Sequence, residues 1–146
     1  MSHAPRLGDA VRQAASFDQT RRARQSEIAE DYVELIADLI ETRGEARAVE
    51  IAERMGVTHA TVNKTIARLQ REGLVTTRPY RSIFLTEAGS RLAEMSRRRH
   101  RIVLDFLKAI GVSAETAELD AEGIEHHVSE ETLAAFERLT RSARKG

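Results

Sequence analysis

Cysteine is absent from all 146 residues. That one absence removes disulfides, thiolate zinc sites and cysteine nucleophiles. Tryptophan is absent too, and aromatic residues make up only 4% of the chain. A core must therefore come mostly from Leu, Ile, Val and Ala, for which the 41% hydrophobic content suffices. No apolar run nears the ~20 residues of a membrane span, and the N-terminus has no hydrophobic signal region. The expectation is a soluble cytoplasmic protein without a membrane partner, folded as one compact domain or two small ones. Net charge is also lacking, at zero, but the charges are segregated. Arg54 to Arg101 holds eleven Lys/Arg against three acidic residues, and Gly111 to Glu137 holds eight Asp/Glu and no Lys or Arg. The first stretch suits phosphates and the second suits cations, although two solvated faces would give the same count.

Met1 to roughly Arg24 is rich in Arg, Gln and Ala without sustained apolar periodicity. The expectation is a flexible N-terminal arm over residues 1–25, partly helical near the fold. A helix is predicted from about Ser26 to Thr42, with Ile28, Tyr32, Leu35, Ile36, Leu39 and Ile40 as its apolar stripe and Gly44 as its stop. A second helix is predicted near Ala48 to Met55 and a third from His59 to Glu72, capped by Thr58. Leu74 to Arg78 and Ser82 to Leu85 alternate like strands about a bend at Pro79-Tyr80-Arg81, forming a wing. A fourth helix follows from Thr86 to about Ile110, then one from Ser113 to about Glu122 and one from Ser129. The fold class is mainly α with a small β-hairpin. A winged helix-turn-helix over 26–88 is followed by a helical module over 89–146.

Helix, short Gly-containing turn, helix and wing is a DNA-reading arrangement in which the second helix enters the major groove. With Val62, Ile66 and Leu69 facing inward, the other face offers Ala60, Thr61, Asn63, Lys64 and Arg68. Thr61 and Asn63 can hydrogen-bond base edges, and Ala60 can touch a thymine methyl. Lys64 and Arg68 suit phosphates, as do Arg78, Tyr80 and Arg81 of the wing. Thr58 and His59 sit at the helix start, where capping and simple exposure compete with DNA contact.

Two short clusters carry metal-binding side chains: Asp31-Tyr32-Val33-Glu34 and Glu122-Gly123-Ile124-Glu125-His126-His127. Residues three and four apart share a helix face. Asp31 therefore joins Glu34, and Glu122 joins Glu125 and His126, with His100 on a helix between the clusters. Singly, Asp31 and Glu34 read as ordinary exposed helix carboxylates, Glu125-His126 as a helix end, and His100 beside Arg97-Arg98-Arg99 as part of a basic face. Jointly, four carboxylates brought together without a cation would meet strong repulsion, which a divalent ion removes. Oxygen with some imidazole nitrogen suits a divalent transition metal. The combination suggests a metal-sensing transcription factor.

These residues bear a family resemblance. Asp31-Tyr32-Val33-Glu34, the segment Ile51 to Leu69, Gly73-Leu74-Val75 with Phe84-Leu85-Thr86, Arg99-His100, and Asp120 through Ser129 resemble the diphtheria-toxin-repressor-like metalloregulators, in their manganese transport regulator branch. The likeness covers about three quarters of the chain. It implies that Asp31, Glu34, His100, Glu122, Glu125 and His126 hold two Mn(2+) ions per subunit, that His127 is not a ligand, and that the C-terminal module forms a homodimer on double-stranded operator DNA. Iron-responsive relatives carry Met at the position of Asp31 and Cys at that of Glu122. Hard carboxylates at both places favour manganese. The resemblance further implies a non-enzymatic repressor of manganese uptake genes without an organic cofactor, and without the SH3-like third domain of longer relatives. The competing readings are a winged-helix regulator answering to iron or another ligand, and a two-metal hydrolase. Against the hydrolase, the sequence offers no phosphate-cradling Gly loop.

Overall fold

The computed structural model describes residues 7–78 and 82–145, and Tyr80 and Arg81 of the expected wing contacts lie outside them. Its longest element is α1 (Ala10–Arg43). Asp9 caps it by accepting from the Val11 N–H at 3.0 Å, and Gly44 ends it in the left-handed conformation at φ 82°. Residues 10–25, expected as a flexible arm, are thus the first half of a 34-residue helix. No Gly or Pro interrupts Ala10 to Arg43, and Ala, Arg and Gln are strong helix formers. The missing apolar period marks a segment with nothing to pack against, since Ala10 to Phe17 are all exposed.

Tyr32, Val33, Ile36 and Leu39 form the buried stripe of the second half of α1. β1 (Ala46–Arg47) then leads into α2 (Ala48–Met55), the turn at Gly56, and α3 (His59–Arg71). The Thr58 hydroxyl accepts from the Thr61 N–H at 3.1 Å, which satisfies one orphan donor of α3. β2 (Val75–Thr77) and β3 (Ser82–Leu85) are the two sides of the wing. The sheet is antiparallel in the order β1-β3-β2, with Ala46 opposite Ile83 and Val75 opposite Leu85. β1 was not expected, because two residues are too few to show alternation. Ile36, Ile51, Val62, Leu69, Val75 and Ile83 meet in this first core.

α4 (Glu87–Ala109) joins the halves. Leu92 packs on the first core, while Ile102, Val103 and Leu107 enter a second with Ala117, Ala121 and Leu133. α5 (Ala114–Ile124) and α6 (Glu130–Lys145) complete that core, and Phe106 and Phe136 stack with centroids 3.9 Å apart. The start of α4 is fixed to the wing through Gly89. A Cβ there would stand 2.1 Å from the Leu74 carbonyl oxygen and 3.2 Å from a Leu85 methyl. Gly89→Ala is therefore expected to cost at least about 2 kcal/mol, lowering the melting temperature by roughly 4 to 8 °C. Thermal unfolding followed by circular dichroism checks this.

Candidate metal centre and DNA-reading face

The carboxylate stripe of α1 is longer than the pair expected. Glu27, Glu30, Asp31 and Glu34 recur at the spacing of one helix face. α4 passes beside this stripe, and the end of α5 with the turn after it closes the other side. Glu125 is the meeting point, 1% exposed. Its Oε2 lies 2.7 Å from His100 Nδ1, and its Oε1 lies 3.4 Å from His126 Nε2. Two donor groups adjoin here: Glu27, Asp31 and His126 form one, and His100 and Glu122 with Glu125 itself form the other. Within each group, donor atoms lie within 4.8 Å of one another.

Five of the six expected ligands fall in these groups. Glu34 is outside both, and its Oε2 accepts from the buried Ser96 hydroxyl at 2.7 Å. Glu34 is still near enough for its charge, with that of Asp31, to raise the Glu122 carboxyl. Glu27, Glu30 and Glu118 were missed. Extending the spacing of Asp31 and Glu34 backwards, or that of Glu122 and Glu125, would have found them. Glu30 accepts from His126 Nδ1 at 2.5 Å and lies 3.9 Å from an Arg99 guanidinium nitrogen. Glu118 sits 3.2 Å from His100 Nε2, and His127 pairs with Glu27 at 3.4 Å.

The electrostatics are those of crowded like charges. Burial pushes the Glu125 carboxyl up to about 7, with the Glu122 charge adding to the effect against the opposing pull of His100. Burial also raises Glu122, opposed by His100 and reinforced by Asp31 and Glu34. Burial alone would lower His126, but the Asp31 and Glu30 carboxylates outweigh it and hold the imidazole up to about 10. His100 is likewise raised, since Glu125, Glu122 and Glu118 overcome its burial. His126 Nε2 is buried and makes no hydrogen bond, although Asp31 Oδ1 is 3.1 Å away. A nitrogen with that aim, ringed by carboxylates and with its other nitrogen fixed by Glu30, has the surroundings of a metal ligand. The donor set fits a hard or borderline divalent cation.

On α3, Val62, Ile66 and Leu69 are buried, while His59, Ala60, Thr61, Asn63 and Lys64 are exposed. A groove of about 640 Å³ runs between this helix and the wing, lined by His59, Asn63, Gln70, Arg47 and Arg78 among others. Arg78 also stacks over Phe84 at 4.9 Å. Thr58 is engaged in capping, and its hydroxyl lies 3.0 Å from that of Thr61. Arg68 departs from expectation. Its guanidinium donates to the Gln25 carbonyl at 3.1 Å and pairs with Glu72 at 3.3 Å, so it docks α3 on α1 instead of standing free for phosphate.

Comparison with known proteins agrees with both halves. Residues 25–83 match the family description "Iron dependent repressor, N-terminal DNA binding domain", and residues 86–145 match its "metal binding and dimerisation domain". The transcriptional regulator MntR of Escherichia coli O157:H7 is 54% identical over 124 residues, covering 85% of this chain and 80% of that protein. MntR of Salmonella typhimurium strain LT2 is 52% identical over 124 residues, covering 85% and 79%. Among solved structures, a manganese-dependent transcriptional repressor in complex with manganese is 30% identical with a TM-score of 0.69, covering 77% of this chain and 52% of that one. The manganese regulator SloR is 29% identical with a TM-score of 0.69, covering 77% and 53%. The chain thus spans about half the length of these solved relatives. Winged reading head, helical module and the carboxylate-imidazole centre between them place it: the chain belongs to the iron-dependent repressor family of transcriptional regulators, beside the MntR proteins.

Proposed function

We propose that this protein is a manganese-responsive DNA-binding transcriptional repressor that acts as a homodimer. The observation that carries the reading is the position of Glu125, buried between two imidazoles and two carboxylate groups that come from both halves of the molecule. Asp31, Glu34, His100, Glu122, Glu125 and His126 would hold manganese, as two ions per subunit. Bound there, the metal supplies positive charge that cancels the repulsion among the carboxylates. Glu27 lies close enough to share in the Asp31 side of the centre.

Asp31 and Glu34 stand on α1, whose buried face is part of the core under α3 and the wing. Glu122, Glu125 and His126 belong to the module that dimerises. With their charges neutralised, α1 is held against α4 and the end of α5, and each reading head is fixed relative to the dimer. Two recognition helices must stand about 34 Å apart to enter successive major grooves. A head held at that separation needs no ordering on binding, so the competent population rises. Thr61, Asn63, Ala60 and His59, all exposed on α3, would meet base edges, with Lys64 and Arg78 meeting phosphates. The outcome is repression of manganese uptake genes when manganese is plentiful.

The test is operator binding with manganese and after chelation. Operators selected from a random duplex pool by the manganese-treated protein are expected to lose at least about 100-fold in affinity when the metal is removed, a shift of about 2.7 kcal/mol. Asn63→Ala should weaken binding by about 1–3 kcal/mol without altering manganese affinity. Equal binding with and without chelator defeats the proposal. Iron, zinc and cobalt in parallel distinguish a manganese regulator from one set for another ion.

A further inference from the structure

The first half of α1 is a surface that the metal-dependent reading of α3 does not use. From Ala10 to Arg24 it extends about 22 Å, and it is exposed along most of that length. An unpacked helical stretch of this length is marginal in water by itself. It bears Arg12, Arg21, Arg22 and Arg24, with Asp18 as its one carboxylate beyond the Asp9 cap. Asp18 is shared by Arg21 at 3.7 Å and Arg22 at 3.1 Å. Arg12 and Arg24 have no ion-pair partner among the described residues.

Its placement gives these charges a direction. α1 meets α3 at Gln25, whose carbonyl receives Arg68, and Arg22, Gln25 and Ser26 line a cleft with Arg68 and Glu72. The opposite flank of α3 carries Asn63, His59 and Gln70, which face the wing with Arg47 and Arg78. Lys64 and Arg71 stand exposed on the helix between these flanks. The order across the reading face is therefore basic wing, basic recognition helix, basic extension. A helix in a major groove has a phosphate strand on each side. The wing serves one strand, and the extension lies toward the other.

We propose that the N-terminal half of α1 is a second DNA-contacting element, whose arginines grip duplex phosphates on the side of the recognition helix away from the wing. The inference rests on the DNA-binding reading above. Its occupant is DNA by charge complementarity and by continuity with the basic face of α3. A second copy of the chain on Val11 and Phe17, both well exposed, is the competing occupant.

The full-length protein with manganese is measured on its selected operator across a salt series, beside a variant carrying Arg12→Gln, Arg21→Gln, Arg22→Gln and Arg24→Gln. Removing one arginine–phosphate pair should flatten the salt dependence by about 0.9 in log–log slope. The variant is expected to lack at least about two such pairs per subunit and to show a shorter protected footprint, with unchanged manganese affinity. A second variant, Val11→Ser with Phe17→Ser, keeps the arginines and should retain both slope and footprint. Unchanged slope and footprint in the arginine variant overturn the proposal. So does a serine variant that alone alters DNA binding or sedimentation, which assigns the face to a second copy. Failure of the unaltered protein to enrich any duplex defeats the regulator reading itself, and this inference with it.

Discussion

Glu125→Ala should abolish the metal response. Glu125 is the group through which both imidazoles meet, and it is buried to 1% exposure. Its removal takes a carboxylate from the group of His100 and Glu122 and leaves His100 and His126 without their common partner. Losing a partner that merely orients a metal ligand costs about 10- to 100-fold in affinity, so loss of a proposed ligand is expected to exceed about 100-fold. Free manganese followed by electron paramagnetic resonance gives the binding curve directly. Glu125→Gln keeps the volume but not the charge and should fail to the same degree. The metal-free proteins separate lost ligation from lost fold. Burial raises the Glu125 carboxyl to about 7, so its charged form is disfavoured in the folded state. Above pH 7 the Gln variant without metal should therefore unfold at a temperature no lower than the parent. Wild-type manganese affinity in either variant contradicts this assignment.

Manganese affinity is also expected to climb steeply with pH. His126 is held up to about 10 and Glu125 up to about 7, and both must give up a proton to bind a metal. Between pH 7 and 10 at least one proton, that of His126, leaves for each binding event, and affinity rises at least about tenfold per pH unit. His100, also raised, and below 7 Glu125 add to the release, and the dependence steepens to at least about a hundredfold per unit. The same shifts fix the sign for stability without metal. Both groups bind protons more tightly folded than unfolded, so each contribution is present at low pH and lost as pH rises. The windows are about 4.5 to 7 for Glu125 and 6.5 to 10 for His126. Titrations in buffers of different ionisation enthalpy count the released protons. A flat affinity between pH 7 and 9 would show that His126 releases no proton when metal binds.

Local chemistry was legible in the sequence, and tertiary placement was not. Ala48 to Met55 was readable to the residue because Gly56 stops the helix in a left-handed turn. The start of α1 was misplaced by sixteen residues because apolar period reports packing, and the segment from Ala10 to Gln25 has almost none. Its Arg, Gln and Ala content carried the helical signal that the period lacked. Asp31, His100, Glu122, Glu125 and His126 were marked by spacing and by resemblance. Glu30 stood on the same helix face and was passed over, though it holds the Nδ1 side of His126. No local pattern links Ser96 to Glu34 or Arg68 to Gln25, partners 62 and 43 residues apart. Such pairings exist only once α1 has packed, and they decide which polar groups remain free for a ligand.

The decisive measurement is anomalous diffraction at the manganese edge from crystals grown with the metal. Peaks are expected on both sides of the Glu125 carboxylate, one within bonding distance of His126 Nε2 and Asp31 and the other beside His100 and Glu122. Manganese density absent from this cluster, or found only at other carboxylates on the surface, would contradict the assignment.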